Sequence, residues 1–196
     1  MKLLPILAAC TFAERDCDKY KYTAVANFDD GNYAQNGLDL VFGEFKGNVE
    51  FVQWKCGNEG GIRWSANIEW PNRLSYTANG LGTGSSYGFF IHEFGNIGGG
   101  AGVCDGAGDV FHHKRRLPSD LTTARGAINN GNLVCSGINC SGGGAATNLR
   151  LGGAKVKKNI VGRSVVLYSQ MYQNGQLLSR PMACAPIVMS NKEIYP

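Results

Sequence analysis

The feature that most constrains the fold is a run of nine residues, 62–70, in which large apolar side chains alternate with polar ones. Every second position is isoleucine, tryptophan or alanine, and the positions between them hold arginine, serine, asparagine and glutamate. Successive side chains of a β-strand point to opposite sides, so a period of two separates the two sets. The run therefore predicts a strand with one buried and one solvated face.

Other stretches of the chain carry the same kind of signal. Aromatic and β-branched residues predict further strands at 48–55, 74–81 and 87–94, with glycine-rich turns between them. The 28 glycines and the charged fraction of 17% suit a protein of short strands and many turns. Residues 18–47 contain two more strand-like runs around a turn-rich connector. We therefore predict an all-β domain preceded by a β-hairpin extension.

The region around residue 140 combines turn, cysteine and glycine signals. An Asn-Asn-Gly turn within residues 122–134 predicts a hairpin. The glycine-rich residues 141–148 predict a flexible insert. Residues 139–141, Asn-Cys-Ser, have the form of a glycosylation sequon, with a cysteine in the middle position that counts against its use.

The N-terminus predicts a secretory signal peptide over residues 1–13. Met1 and Lys2 precede a short apolar run that ends in small residues, and cleavage is expected between Cys10 and Glu14. A bacterial lipoprotein signal is the alternative, because the Leu-Ala-Ala-Cys at 7–10 fits a lipid-attachment site. The mature chain then consists of an extension at 14–47 and a domain at 48–196.

Cysteine usage agrees with export. Six cysteines remain when Cys10 is set aside, and an even number in an exported chain predicts three disulfides, with fifteen possible pairings. No two C-x-x-C pairs stand at the spacing of a zinc finger, so a structural zinc site is not predicted. The sequence thus favours a secreted, disulfide-bonded protein.

Charge and hydropathy argue against two classes of partner. The net charge is only +4, and the basic runs at 112–116 and 155–159 are short and carry no interleaved aromatic residues, which is typical of solvated loops. No run of about 18 apolar residues is present, so no membrane span is predicted. We expect neither a nucleic acid nor a membrane as partner.

Four motifs resemble one known family. Residues 87–95, YGFFIHEFG, closely resemble the metal-binding strand of copper/zinc superoxide dismutases, which reads GFHVHEFG. The loop at 104–111, the GRSVV at 162–166 and the RPMAC at 180–184 resemble later motifs of the family, in the same order. The resemblance spans about residues 48–190, and it implies an eight-stranded Greek-key β-barrel or sandwich of the dismutase type.

The resemblance also implies where a metal would bind. In the family four histidines hold copper, and here the corresponding positions are Phe90, His92, Val110 and Tyr168. A phenylalanine and a valine have no lone pair to donate, and a phenol with a pKa of about 10 is a poor ligand. His92 alone keeps the family's residue, so we expect no bound cofactor.

Further roles follow from the same resemblance. His112 and His113 lie close enough in sequence to replace lost ligands, Asp120 falls on the zinc carboxylate position, and Arg180 falls on the substrate-guiding arginine, with one extra residue before the closing cysteine. The family implies one disulfide, proximity suggests a second, and the two cysteines left over form the third. In that order these pairs are Cys104–Cys184, Cys135–Cys140 and Cys17–Cys56.

The function expected from these residues is that of a secreted dismutase-like protein that has lost its catalytic metal. It would act as an extracellular binding or structural protein with a partner that the sequence does not identify. The alternative is a metal-binding superoxide dismutase that uses His92 with His112 or His113 to hold copper or zinc.

Overall fold

The protein is described from a computed structural model. The residues that the structure describes are 22–28, 45–56, 59–69, 87–97, 104–111, 132–152, 158–173 and 176–190. Several predictions lie outside these ranges: the signal peptide at 1–13, the strand at 74–81, the first arm of the hairpin at 122–134, and Cys17, His112, His113 and Asp120.

Antiparallel β-strands make up almost all of the regular structure in the described ranges. The strands are β1 (Thr23–Asn27), β2 (Lys46–Cys56), β3 (Glu59–Glu69), β4 (Tyr87–His92), β5 (Asn132–Ser136), β6 (Asn139–Ala146), β7 (Ser164–Gln173), β8 (Gln176–Pro186) and β9 (Val188–Met189). One 3-10 turn, Asp105–Ala107, lies in the loop after β4. No helix of the described ranges is long and apolar enough to cross a membrane. The all-β prediction is confirmed.

The described strands form one hydrogen-bonded series, in the order β8-β7-β4-β5-β6-β3-β2-β1-β9. Its two ends, β8 and β9, are separated in the chain by Ile187 alone. Ile187 is fully buried, and its N–H donates to the carbonyl of Arg163 at 2.7 Å. The chain therefore passes from one end of the strand order to the other within a single buried residue.

Residues 62–69 of the alternating run lie in β3, as predicted, and residue 70 is outside the described ranges. Ile62, Trp64 and Ala66 are at most 3% exposed, whereas the polar side chains between them face solvent. The strand begins earlier than predicted, at Glu59, and pairs with β2 along its whole length. Burial of the apolar face contributes roughly 1.5–3 kcal/mol per large side chain before conformational entropy is subtracted.

The first strand-like run of the extension is part of the main sheet. β1 pairs antiparallel with β2, and Ala24, Ala26 and Phe28 are buried in the principal core. The second run, 38–45, lies outside the described residues except for its last position, Phe45, which is also buried. The predicted hairpin of these two runs is therefore not confirmed, and β1 instead adds a strand beside β2.

The prediction of a flexible insert at 141–148 is wrong. Most of this segment forms β6, which pairs with β3 from Glu69↔Asn139 to Ile62↔Ala146. A Cβ atom on Gly144 would lie only 2.8 Å from Nε1 of Trp64. The indole of Trp64 is itself fixed edge-on against Phe89, with ring centroids 4.9 Å apart. The glycine gives the strand room for a large neighbour and does not make it flexible.

Two of the three predicted disulfides are present. Cys104–Cys184 joins the loop after β4 to β8, and Cys135–Cys140 joins directly opposite positions of β5 and β6. The third predicted pair, Cys17–Cys56, includes a residue outside the described ranges. Both confirmed bridges lie where they fix a loop or a hairpin to the sheet.

Substitution of Gly144 by alanine tests the packing of β6. We expect Gly144→Ala to lower the free energy of unfolding by about 1–3 kcal/mol, because the packed indole of Trp64 cannot move away from the new methyl group. Gly152→Ala is the matched control, since a Cβ atom there meets nothing within 4 Å. Urea denaturation of both variants measures the difference. Equal stabilities would contradict the proposed role of the glycine.

Candidate functional site

The candidate site lies on the face of β4 that points away from the principal core. Phe89 and Ile91 are buried in that core, so the next positions of the strand, Phe90 and His92, face the opposite side. Tyr168, on the neighbouring strand β7, reaches His92 from the same side of the sheet.

The loop after β4 folds back over this face and is held by backbone hydrogen bonds. The N–H of Glu93 donates to the carbonyl of Asp109 at 2.9 Å, and the N–H of Phe111 donates to the carbonyl of Ile91 at 2.8 Å. Between them, Val110 forms an isolated antiparallel bridge with His92. The loop thereby becomes a short additional strand beside the end of β4.

The structure brings together the four positions that the resemblance assigned to copper ligands. His92 and Tyr168 are joined by a hydrogen bond, and Val110 pairs with His92 across the loop. The ring of Phe90 packs edge-on against that of Tyr168, with centroids 5.4 Å apart. The four residues therefore share one site, although only one of them is a histidine.

Both ring nitrogens of His92 have hydrogen-bond partners. Nδ1 lies 2.6 Å from the carbonyl oxygen of Gly108, and Nε2 lies 2.9 Å from the hydroxyl oxygen of Tyr168. A carbonyl oxygen can only accept, so Nδ1 must carry the proton. Nε2 of the neutral ring is then the acceptor for the Tyr168 O–H. The single lone pair that a neutral imidazole offers to a metal is occupied by a phenol.

The electrostatics of the pair agree with this assignment. Burial lowers the pKa of His92, against the opposing effects of the Gly108 hydrogen bond and the charges of Asp109 and Glu93. Burial, aided by the charge of Asp109, raises the pKa of Tyr168 to about 12. At neutral pH the phenol therefore keeps its proton, and the imidazole, which is 6% exposed, stays uncharged.

Apolar groups and a disulfide fill the space around the pair. Ala107, Val166 and Cys184 form a small buried cluster on this face, with Ile97, Cys104 and Tyr168 packed against it. Cys104 adopts a left-handed backbone conformation with φ of 64°, which is uncommon for a residue with a side chain. The disulfide thus anchors the loop that presents the Gly108 carbonyl to His92.

One polar group near His92 lacks a partner. Ser164 lies directly opposite His92 across β4 and β7, and it is fully buried. Its Oγ makes no hydrogen bond within the part of the chain that the structure describes. A neutral serine hydroxyl is not among the usual ligands of copper or zinc, so it adds no metal ligand beside His92.

Within the described residues, no three histidine, cysteine, aspartate or glutamate side chains converge in a way that could hold a metal ion. His112, His113 and Asp120 are outside those residues, so the structure does not place these predicted ligands. The chain enters that segment directly from Phe111, which is 3% exposed and hydrogen-bonded to Ile91.

The backbone of Arg180 is described as part of β8, opposite Ser169 of β7, but its side chain is not described. The extra residue noted between Arg180 and the closing cysteine is absorbed by the sheet. The pairing passes from Leu167↔Ala183 to Tyr168↔Pro181, so β8 holds one more residue than β7 at this point. This β-bulge restores the pairing on both sides of the insertion.

Sequence analysis missed the role of Arg163. Its Nη1 donates to the carbonyl of Glu93 at 2.8 Å, and its guanidinium lies 3.5 Å from the ring centroid of Phe111. A further donation, from Nε to the carbonyl of Asn159 at 2.8 Å, fixes the side chain. Arg163 therefore positions both ends of the loop over His92. Arg163 belongs to the GRSVV motif at 162–166, but its role depends on the loop after β4 folding back beside that strand, which no local sequence pattern reveals.

Comparison with models of protein families finds no match for the sequence. Comparison with curated proteins finds none either. Among solved structures, 31 chains are similar to this one. One of them is a point mutant of superoxide dismutase 5 from Candida albicans, with a TM-score of 0.49 and 15% sequence identity over 86% of this chain and 92% of that chain. The similarity is to a superoxide dismutase, the kind of protein that the four sequence motifs resemble.

Removal of the Tyr168 hydroxyl tests the hydrogen bond to His92. We expect Tyr168→Phe to destabilise the protein by about 1–3 kcal/mol, because the lone pair of Nε2 is left buried without a donor. Tyr22→Phe, at a residue that is 45% exposed, is the control and should be close to neutral. Chemical denaturation measures both variants, and an unchanged stability of Tyr168→Phe would show that the bond does not form.

The lowered pKa of His92 predicts a pH dependence of stability. Below about pH 6.5 the unfolded state takes up a proton that the folded state resists, so the free energy of unfolding falls on acidification by at most about 1.4 kcal/mol per pH unit. His92→Gln should lack this component. Denaturation of both proteins at pH 7.5 and 5.5 measures this pH-dependent part of the free energy of unfolding. The other two histidines are present in both proteins, so their contributions cancel in the difference. Identical pH profiles would contradict a buried neutral His92.

Proposed function

We propose that this protein is a secreted superoxide dismutase-like protein that does not catalyse dismutation and serves as an extracellular binding or structural protein. The observation that supports this proposal is the engagement of both ring nitrogens of His92, by Gly108 and Tyr168. A catalytic copper needs that imidazole free. Here its lone pair is already used inside the fold.

The residues at the site do not fit copper. The family binds the ion through four histidine nitrogens, and three of these positions hold Phe90, Val110 and Tyr168. To bind at Nε2, an ion would have to displace the O–H of Tyr168 and leave that hydroxyl without its acceptor in a buried place. Phe90, which packs on the Tyr168 ring, and the buried Val110 place apolar side chains beside His92. No redox step can be assigned to this set of side chains.

Export is supported by two features. The first thirteen residues have the charge and hydropathy pattern of a signal peptide. The bridges Cys104–Cys184 and Cys135–Cys140 persist in oxidising compartments, where each typically contributes about 2–4 kcal/mol to stability. The partner of the protein is not identified by these features.

The strand order supports a closed architecture. Only Ile187 separates β8 from β9, the two ends of the hydrogen-bonded series, so those ends must approach each other in space. We infer that the sheet curls into the eight-stranded Greek-key barrel of the dismutase type, with the extension contributing β1. A barrel of this kind would present its loops to a binding partner.

The second candidate function is a metal-dependent dismutase with an unusual ligand set. It is favoured by one observation, the position of Phe111, which leads from the site straight into His112 and His113. For these histidines to join His92 at one ion, Tyr168 would have to release Nε2.

Metal analysis and a superoxide-removal assay on the purified protein separate the two candidates. We expect the copper and zinc content to be far below one ion per chain, and the rate of superoxide removal to equal the background rate. The variant His92→Ala should have the same metal content and the same rate. Copper at one ion per chain with rapid dismutation would contradict the proposed function.

A variant with histidine at all four positions tests whether these positions converge on one site. Replacement of Phe90, Val110 and Tyr168 together by histidine should create copper affinity that the natural chain lacks, because the structure already gathers these positions around His92. Isothermal titration with Cu²⁺ measures the gain. Failure of a folded triple variant to bind copper would show that the four positions do not converge as described.

A further inference from the structure

We propose that Asn139 is an N-glycosylation site and that its glycan covers the outer face of the sheet where β5, β6 and β3 meet. This inference depends on the secretory route included in the proposed function. Asn139-Cys140-Ser141 is the only Asn-x-Ser/Thr triplet in the sequence, so any N-linked sugar of the usual kind has a single possible position.

The fold separates the cysteine at the middle position of the triplet from the two residues on either side of it. Alternation along β6 turns Cys140 inward, where it is 3% exposed and bonded to Cys135. The same alternation turns Asn139 and Ser141 outward, and both are exposed. The two residues that a glycosyltransferase must recognise therefore lie on the solvent side of the strand.

The surface beside Asn139 suits a bound saccharide. An open depression of about 400 Å³ adjoins it, lined by residues of three strands, and Lys46, Asn67 and Glu69 supply polar groups to that lining. In the sheet, Glu69 lies directly opposite Asn139, and Asn67 lies opposite Ser141. Amide, ammonium and carboxylate groups offer sugar hydroxyls both donors and acceptors.

An exposed apolar residue lies on the same face. Val134 is 77% exposed, the highest value among the large hydrophobic residues of the described ranges that face solvent. It is opposite Ser141 on the neighbouring strand β5, two residues along β6 from Asn139. A sugar attached to Asn139 would cover this valine and shield it from contact with other proteins.

The transfer reaction needs no catalytic group from this protein, because the transferase or the leaving pyrophosphate accepts the proton that the amide releases. A lipid-linked oligosaccharide pyrophosphate is the donor: its sugar C1–O bond to the pyrophosphate breaks, a C1–N bond to Nδ2 of Asn139 forms, and the amide loses one proton. The lipid pyrophosphate leaves. The protein contributes only the acceptor amide and the Ser141 hydroxyl of the triplet.

The Cys135–Cys140 disulfide competes with this reaction. The bridge spans only five residues and places Cys140 opposite Cys135 in a hairpin, whereas the transferase needs an accessible extended acceptor. Chains emerge at about 5–20 residues per second, and disulfides form over seconds to hours. We therefore expect the sugar to be added first on part of the chains, with early closure of the hairpin excluding the rest.

The experiment is secretion of the full chain from a eukaryotic host, followed by treatment with an N-glycosidase and mass analysis of the peptide that contains residue 139. We expect a single deglycosylation shift in the natural chain, its complete loss in Asn139→Gln, and no change in the control Asn48→Gln, which alters an asparagine outside any triplet. Cys135→Ala and Ser141→Thr should both raise the glycosylated fraction, the first because it removes the competing bridge.

Each outcome decides one proposal. Secreted protein that carries no sugar in the natural chain, in Cys135→Ala and in Ser141→Thr overturns this inference and leaves the proposed function intact. A shift that persists in Asn139→Gln also overturns it. If the chain stays inside the cell, the secretory proposal fails, and the same chain behind a heterologous signal peptide then decides whether Asn139 accepts a glycan.

Discussion

The hydrogen-bonded chain from the Gly108 carbonyl through His92 to Tyr168 is the interaction on which the arrangement of this site depends. It joins three parts of the protein: the loop after β4, the last residue of β4, and β7. Because the carbonyl only accepts and the phenol retains its proton, the direction of both bonds is fixed. These two hydrogen bonds leave His92 neutral and buried, with a partner for each ring nitrogen. Buried polar side chains in stable proteins are generally hydrogen-bonded in this way.

Two features of the surrounding structure hold these hydrogen-bonded groups in place. The Cys104–Cys184 disulfide anchors the loop that carries Gly108 from within, and Arg163 fixes both of its ends, through the carbonyl of Glu93 and the ring of Phe111. A metal ion commonly performs such a task by tying several loops to one centre. In this protein a phenol, a guanidinium and a disulfide hold the loop, and apolar side chains pack around them.

The period-two pattern of apolar residues predicted a strand of the sheet correctly. Residue composition alone gave a wrong prediction where packing against a neighbouring strand determines the structure. Residues 62–70 gave β3 because burial of alternate positions follows directly from their chemistry. Residues 141–148 were assigned wrongly because glycine suggests freedom, whereas Gly144 serves the indole of Trp64 on the adjacent strand. At the site, the alignment placed His92 and Tyr168 together, but their hydrogen bond could not be foreseen from motifs that differ from the family at that position.

The state of the His92 ring offers the most direct test of the central claim, which is that its lone pair belongs to Tyr168 and is unavailable to a metal. Nitrogen-15 and proton NMR of histidine-labelled protein at pH 7.5 reports which ring nitrogen carries the proton. We predict a neutral ring protonated at Nδ1, with a hydrogen-bonded Nε2 whose resonance is unchanged by added Cu⁺ or Zn²⁺. A ring protonated at Nε2, or an Nε2 resonance that shifts in proportion to added metal, would contradict the account.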